Sequence, residues 1–164
     1  MIETTCHQCN APLNGLVCEY CGSLANLHMN RDEEMQALTE YHNILLKPEE
    51  KPEEEVKMLS KGFIPLNPEV LIEAGIRLMP LIDLTNTGDD VVEAAARRLD
   101  AISLKLRLLP DMPEITQALE EFETFMKEFK ALHAKQYREG GVIAVLMVVF
   151  VIAACLFFGY LLMG

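Results

Sequence analysis

Apolar residues recur at intervals of three and four along most of residues 30–139. This spacing places side chains on one face of an α-helix, so the sequence predicts a bundle of four or five helices. The most regular run comprises Ile115, Leu119, Phe122, Met126 and Phe129. A second run comprises Val92, Ala95, Leu99, Ile102, Leu106 and Leu109. The predicted fold class is therefore mainly α.

Local signals set the limits of the first helices. Asn30 and Glu33 have the spacing of a capping box, which predicts a helix start at residue 30. Pro48 limits that helix, because proline cannot continue the backbone hydrogen-bond pattern. The charged segment 47–55, with the sequence KPEEKPEEE, forms a predicted linker. Pro52 and the three glutamates after it also suit a helix start, and that short helix should stop at Gly62.

The next two predicted helices are apolar on more than one face. The segment 68–82 is apolar nearly all round, which suggests a central position in the bundle, and Pro80 should kink or end it. The helix at 88–109 also has two apolar faces, so it needs two neighbours, either within the bundle or on a partner. Its second face comprises Ala94, Ala101, Leu104 and Leu108.

An uncharged apolar run occupies residues 142–163, with the sequence VIAVLMVVFVIAACLFFGYLLM. As a helix it would extend roughly 33 Å, enough to cross a bilayer core of about 30 Å. The sequence therefore predicts a transmembrane tail anchor at 140–164, with Gly140-Gly141 as a swivel. Because only Gly164 follows the run, we expect insertion after synthesis, as in tail-anchored proteins.

Cationic residues precede this predicted anchor; they are Lys127, Lys130, Lys135 and Arg138. By the positive-inside rule they place the N-terminal domain in the cytosol, and their long stems suit snorkelling at the interface. Attraction to anionic lipid headgroups is the alternative role. Within the anchor, Cys155 and Gly159 form a small-xxx-small pair, a candidate contact between two helices.

Two CxxC pairs near the start of the chain give the strongest site signal. They comprise Cys6, Cys9, Cys18 and Cys21. Four thiolates satisfy the tetrahedral coordination that Zn²⁺ prefers, and a closed shell of this kind leaves no position for a substrate. In a reducing compartment such pairs hold metal rather than form disulfides. Asn14-Gly15 predicts a hairpin turn that would bring the two pairs together.

This pattern resembles the small zinc-ribbon modules of many bacterial and archaeal proteins, in which CxxC, a short hairpin and CxxCG follow one another. Cys18-Glu19-Tyr20-Cys21-Gly22 matches the second knuckle, whereas Asn10 stands where a glycine usually follows the first. The resemblance covers residues 4–25. It implies one structural zinc ion in an interaction head at 1–29, although iron can bind such a site as well. It also makes a prokaryotic plasma membrane the expected location.

The charge of the chain and the motifs it lacks disfavour several classes of function. Lys and Arg number 14 against 25 Asp and Glu, and the resulting net charge of −11 makes nucleic acid an unlikely partner. The sequence has no phosphate-binding Gly-rich loop, no GxSxG and no HExxH, so it indicates neither an enzyme nor a small-molecule substrate. His42 and His133 lie on predicted helices without an identifiable partner.

These observations predict a non-enzymatic adaptor or accessory subunit that is tethered to a lipid bilayer. The zinc ribbon and the 88–109 helix of the domain at 30–139 would contact a protein partner. One alternative is a homo-oligomeric scaffold or pore, in which the bundle and the anchor bind copies of themselves. A second is a membrane-bound regulatory factor that contacts nucleic acid, which the acidic composition disfavours.

Overall fold

The computed structural model describes residues 5–6, 8–24, 29–46 and 52–163, with side chains described as far as Arg138. Within these residues the protein is mainly helical and contains no β-strand, so the predicted helical class is confirmed. The helices are α1 (Arg31–Leu45), α2 (Pro52–Lys61), α3 (Pro68–Leu78), α4 (Asp90–Leu106) and α5 (Pro113–Met163). The four cysteines precede α1. Residues 47–51 of the predicted linker lie outside the described residues, and the rest of it belongs to α2.

The capping box and the proline that the sequence predicted lie at helix ends in the structure. The Asn30 side chain accepts hydrogen bonds from the first-turn amides of α1, and the Glu33 carboxylate accepts from the Asn30 amide at 2.9 Å. This capping box satisfies amides that otherwise lack a partner within the helix. Pro80 has the predicted effect as well, because α3 stops at Leu78 and continues only as a 3₁₀ turn at Met79–Leu81.

The core lies where α3 and α4 cross the bundle. α3 packs against α1, α4 and α5, whereas α4 packs against α2, α3 and α5. The main predicted face of α4 is buried as far as Leu106. The second predicted face is covered only in part: Ala94 is buried, but Leu104 is 58% exposed, and Leu108, in the turn after α4, is 79% exposed.

α5 lies against α3 through a close contact between a ring and a glycine. Phe122 is completely buried, and a Cβ added at Gly75 would collide with its ring. The absence of a side chain at Gly75 therefore lets the two helices approach. The buried face of α5 comprises Ile115, Ala118, Phe122, Met126 and Phe129, so the predicted spacing does mark its core side.

An irregular segment at residues 62–67, which we call the strap, joins α2 to α3. Three charged side chains from α1 and α4 satisfy its backbone: Arg98 and Lys105 donate to carbonyls, and Glu34 accepts from amides. The bonded carbonyls of the strap belong to Gly62, Phe63, Ile64 and Pro65, and its bonded amides to Leu66 and Asn67. Arg98 also donates to the carbonyl of Leu59, in the last turn of α2. These bonds allow a segment without regular structure to pack against the core.

Two side chains of α5, those of Gln136 and His133, hold the loop between α3 and α4 in place. The Thr87 hydroxyl and amide donate to Gln136 Oε1 at 2.5 and 3.1 Å, and Gln136 Nε2 donates to the Thr85 carbonyl. His133 Nδ1 lies 2.9 Å from the Thr87 carbonyl, so it donates to that oxygen. His133 therefore has a partner that the sequence did not identify.

The backbone of α5 is helical through Gly140-Gly141 and as far as Met163, so the predicted swivel lies inside a helix. Side chains beyond Arg138 are not among the described ones, and the predicted anchor with Cys155 and Gly159 falls there. Within the part of the chain that the structure fully describes, no helix has both the length and the apolar character needed to cross a membrane. The anchor therefore stays a prediction from the sequence.

Candidate metal centre

The four predicted cysteines converge on one point. The sulfur atoms of Cys6, Cys9, Cys18 and Cys21 all lie within 4.8 Å of one another. The two closest pairs of sulfur atoms each join one CxxC pair to the other. The sulfur of Cys6 lies 3.6 Å from that of Cys21, and the sulfur of Cys9 lies 3.6 Å from that of Cys18. Sulfurs bound at about 2.3 Å to one tetrahedral ion lie ~3.8 Å apart. The cluster can therefore hold one metal ion, and its geometry is compatible with zinc.

Two turns of the same design supply these ligands. In the first knuckle the Cys6 amide donates to the Ala11 carbonyl and the Asn10 amide donates to the Cys6 carbonyl, both at 2.8 Å. Twelve residues later the second knuckle repeats these bonds, as its Gly22 amide donates to the Cys18 carbonyl. Asn10 and Gly22 occupy the same left-handed position, with φ of 60° and 68°. Asparagine tolerates this region, so Asn10 replaces the usual glycine without changing the turn.

The predicted hairpin at Asn14-Gly15 does not form. Neither residue has a positive φ, whereas the hairpin turn favoured by Asn-Gly needs one at both positions. The β-bridges close within each knuckle, from Thr5 to Pro12 and from Val17 to Leu24. The chain bends instead at Gly15-Leu16, where the Leu16 amide donates to the Glu40 carboxylate of α1 at 2.9 Å. A contact with a helix that is distant in sequence therefore replaces the local turn.

Burial and hydrogen bonds act in opposite directions on the thiols. Burial raises the pKa of Cys18 to about 12, because a thiolate is poorly solvated there. Burial also opposes ionisation of Cys6, but hydrogen bonds from the Ser23 hydroxyl and from backbone amides outweigh it and lower the pKa of Cys6 to about 6. Ser23 Oγ lies 3.0 Å from the sulfur of Cys6 and 3.1 Å from that of Cys21. Ser23 directly follows the CxxCG motif, and this position was the one signal in the sequence for a hydrogen bond to the thiols.

The segment that carries the four cysteines, residues 5–6 and 8–24, which we call the head, packs directly on the helices. Val17 belongs to the same buried cluster as the helical core. The Phe63 amide of the strap donates to the Gly22 carbonyl at 2.9 Å. A Cβ added at Gly22 would lie 2.7 Å from Tyr41 Cε2 and 2.9 Å from Gly62 Cα. The residue that follows ligand Cys21 is therefore in contact with both α1 and the strap.

Tyr41 and Arg98 form the polar centre of this contact. The Tyr41 hydroxyl donates to the Met58 carbonyl at 2.8 Å, and the Arg98 guanidinium carbon lies 4.7 Å from the centre of the Tyr41 ring. Burial raises the pKa of Tyr41 to about 12 and lowers the pKa of Arg98. The sequence indicated neither role, because a tyrosine at a buried helix position is an ordinary core residue and an arginine in a helix is usually exposed.

The predicted cationic residues near the end of the bundle are exposed and have different neighbours. Lys130 forms an ion pair with Asp100 of α4 at 3.1 Å, and Arg138 Nε donates to the Ala134 carbonyl of its own helix. Lys127 lines a groove of about 260 Å³ between α4 and α5, together with Lys130 and acidic residues of both helices. The groove therefore has a mixed charge rather than the purely cationic lining that favours an anion.

Comparisons with known proteins give no relative from which a function could be transferred. No family model matches the chain, and neither the curated proteins nor the solved structures contain a match. The interpretation of the metal centre therefore depends on the spacing, burial and geometry of its own cysteines.

Proposed function

We propose that the protein is a non-enzymatic adaptor, tethered to a membrane, whose helical domain and metal-binding head bind a protein partner on the cytosolic side. The observation that carries the proposal is an exposed apolar ridge formed by Leu104, near the end of α4, and Leu108, in the turn that follows α4. Met112, just before α5, is also exposed. Two exposed leucines four residues apart, at the end of a packed helix and in the turn after it, are typical of a surface that another protein covers.

The charged residues of α4 and of the turn after it favour an apolar partner surface. Several of them are already paired within the chain; the pairs are Arg97–Glu93, Lys130–Asp100 and Arg107–Glu123. Paired charges produce little net field, so they give a partner little electrostatic attraction. The partner should therefore bury the leucines against an apolar patch of its own, with polar contacts at the edge.

The head contributes to the proposed function in two ways. Zinc is the ion that a closed shell of four cysteines suits best, and it would stabilise the head without taking part in a reaction. Tyr20, which lies between ligands Cys18 and Cys21, is 57% exposed and offers an aromatic side chain to a partner. The apolar run at 142–163 would confine both surfaces to the membrane plane.

Purification of the full chain from mild-detergent extracts tests this proposal. We would compare the wild type with a Leu104→Ser, Leu108→Ser double variant and with Ile76→Ser, a control at another exposed apolar position, on α3. We expect one partner at a stoichiometric level with the wild type and the control, and its loss with the double variant. The same associated proteins in all three samples would contradict the role of the ridge.

Self-assembly is the alternative that the same experiment can reveal. A homo-oligomer without a second protein would favour a scaffold or pore, built through the bundle and the Cys155–Gly159 pair. Cross-linking in membranes separates the two models, since Gly159→Leu should abolish an oligomer that depends on close helix approach but should leave an adaptor complex intact.

A further inference from the structure

We infer that metal binding and helical packing form one thermodynamic unit, coupled through Gly22, Tyr41 and Arg98. Occupancy of the cysteine cluster would then set the stability of the contact between α2, the strap and α4, far beyond the knuckles themselves. This inference depends on metal binding by the cluster and not on the proposed adaptor function.

The first link is the second knuckle. The Gly22 amide donates to the carbonyl of ligand Cys18 at 2.8 Å, so Gly22 closes the turn that positions Cys18 and Cys21. Its own carbonyl accepts from the Phe63 amide of the strap at 2.9 Å. The turn that brings two sulfurs to the metal is therefore the same turn that fits the strap.

The second link joins the strap to α4. Arg98 is only 7% exposed, and its guanidinium donates to the carbonyls of Leu59 and Gly62 at 2.9 and 3.2 Å and to that of Phe63. These carbonyls belong to the end of α2 and the start of the strap, where a helix dipole favours a cation. A buried cation without partners is costly, so Arg98 makes displacement of the strap unfavourable.

Tyr41 connects the two links. Its ring packs against Gly22 of the head and Gly62 of the strap, where added Cβ atoms would lie 2.7 and 2.6 Å from Tyr41 Cε2. Arg98 covers the ring, and the hydroxyl is bonded to the end of α2. An ion that binds only the ordered knuckle stabilises every contact that requires this order. Because coupling is reciprocal, a change at Arg98 must also weaken metal binding.

A cobalt titration of the full-length, reduced, metal-free protein in detergent tests this reciprocity. Co²⁺ bound by thiolates absorbs light, so its affinity can be measured without an activity. We expect Arg98→Met to raise the apparent dissociation constant by about tenfold or more. Arg97→Met is the matched control, because Arg97 is the preceding residue of α4 and its side chain is 72% exposed. Equal affinities of all three proteins would overturn the inference.

Hydrogen exchange of the wild type supplies a test that needs no variant and therefore does not depend on the folding of Arg98→Met. We expect added Zn²⁺ to slow amide exchange in residues 58–64 and in the first half of α4, as well as in the head. Slowing confined to residues 5–24, or a wild type that binds neither metal, would refute the coupling. Failure to find a protein partner would leave both results unaffected.

Discussion

At the scale of single residues, Asn10 and Gly22 occupy equivalent left-handed positions, but only the first has room for a side chain. At Gly22 an added Cβ would lie 2.9 Å from the backbone of Gly62, and a backbone atom cannot move aside by changing rotamer. The glycine is therefore required by a tertiary contact, in addition to its φ of 68°.

Gly22→Ala should consequently destabilise the metal-loaded protein by about 2–4 kcal/mol, from left-handed strain and overpacking together. Asn10→Gly is the matched control and should change the free energy of unfolding by less than about 1 kcal/mol, because it relieves a strained position. Urea unfolding monitored by circular dichroism measures both. Equal effects of the two substitutions would show that the head does not pack on the strap as described.

Gly75 and Gly88 offer a second comparison, in the helical part of the molecule. A Cβ at Gly75 would meet the buried Phe122 ring, whereas nothing lies within 4 Å of a Cβ at Gly88. Gly75→Ala should lower the free energy of unfolding by about 1–2 kcal/mol, because the cost of overpacking exceeds the gain in helix propensity. Gly88→Ala should be neutral or stabilising by up to about 1 kcal/mol. Thermal unfolding compares them, and a stabilised Gly75→Ala variant would contradict the packing of α3 on α5.

At the scale of elements, Gln136 of α5 fixes the loop between α3 and α4. Thr87 in that loop is fully buried, and both its amide and its hydroxyl donate to Gln136. Gln136→Ala should leave buried donors without a partner, at a cost of about 1–3 kcal/mol. Tyr137→Ala, at the next and largely exposed position, should have little effect. Hydrogen exchange of residues 84–89 measures the loop directly, and unchanged rates in Gln136→Ala would count against this role.

The sequence predicted these elements better than it predicted the connections between them. Helix spacing and caps are local, so Asn30 and the Ile115–Phe129 run indicated α1 and the core face of α5 correctly. The strap is not local: its backbone is satisfied by Glu34 and Arg98, which lie more than thirty residues away from it in sequence. No periodic pattern marks such a partner, and the failed Asn14-Gly15 hairpin shows a distant contact overriding a local preference.

At the scale of the whole molecule, part of the head joins the helical core through Val17, whereas its cysteines form a second buried cluster. The spacing of the two CxxC pairs predicted the four candidate ligands, because two such pairs favour metal binding. It could not predict that Val17 would join the helical core or that Gly22 would lie against Tyr41, since these contacts depend on how two units pack. The two contacts at Val17 and Gly22 therefore join the head to the bundle.

The stability of the metal-free protein should depend on pH through Cys6. Its pKa is lowered to about 6 in the folded protein from an ordinary value of 9.0, so between these values the unfolded chain binds more protons. Stability should therefore rise from pH 6 to pH 9 and be lost as the pH falls back towards 6. Chemical unfolding in the presence of a chelator and a reductant measures this slope. Cys6→Ser should reduce it, and an equal slope in that variant would contradict the assignment.

Native mass spectrometry of the intact protein, purified under reducing conditions, tests the metal centre most directly. One metal ion per chain in the wild type, absent from Cys18→Ser, is the expected result, and a zinc mass would identify the ion. A wild-type chain that carries no metal even after incubation with Zn²⁺ would contradict the metal centre, and with it the coupling between the head and the helical bundle.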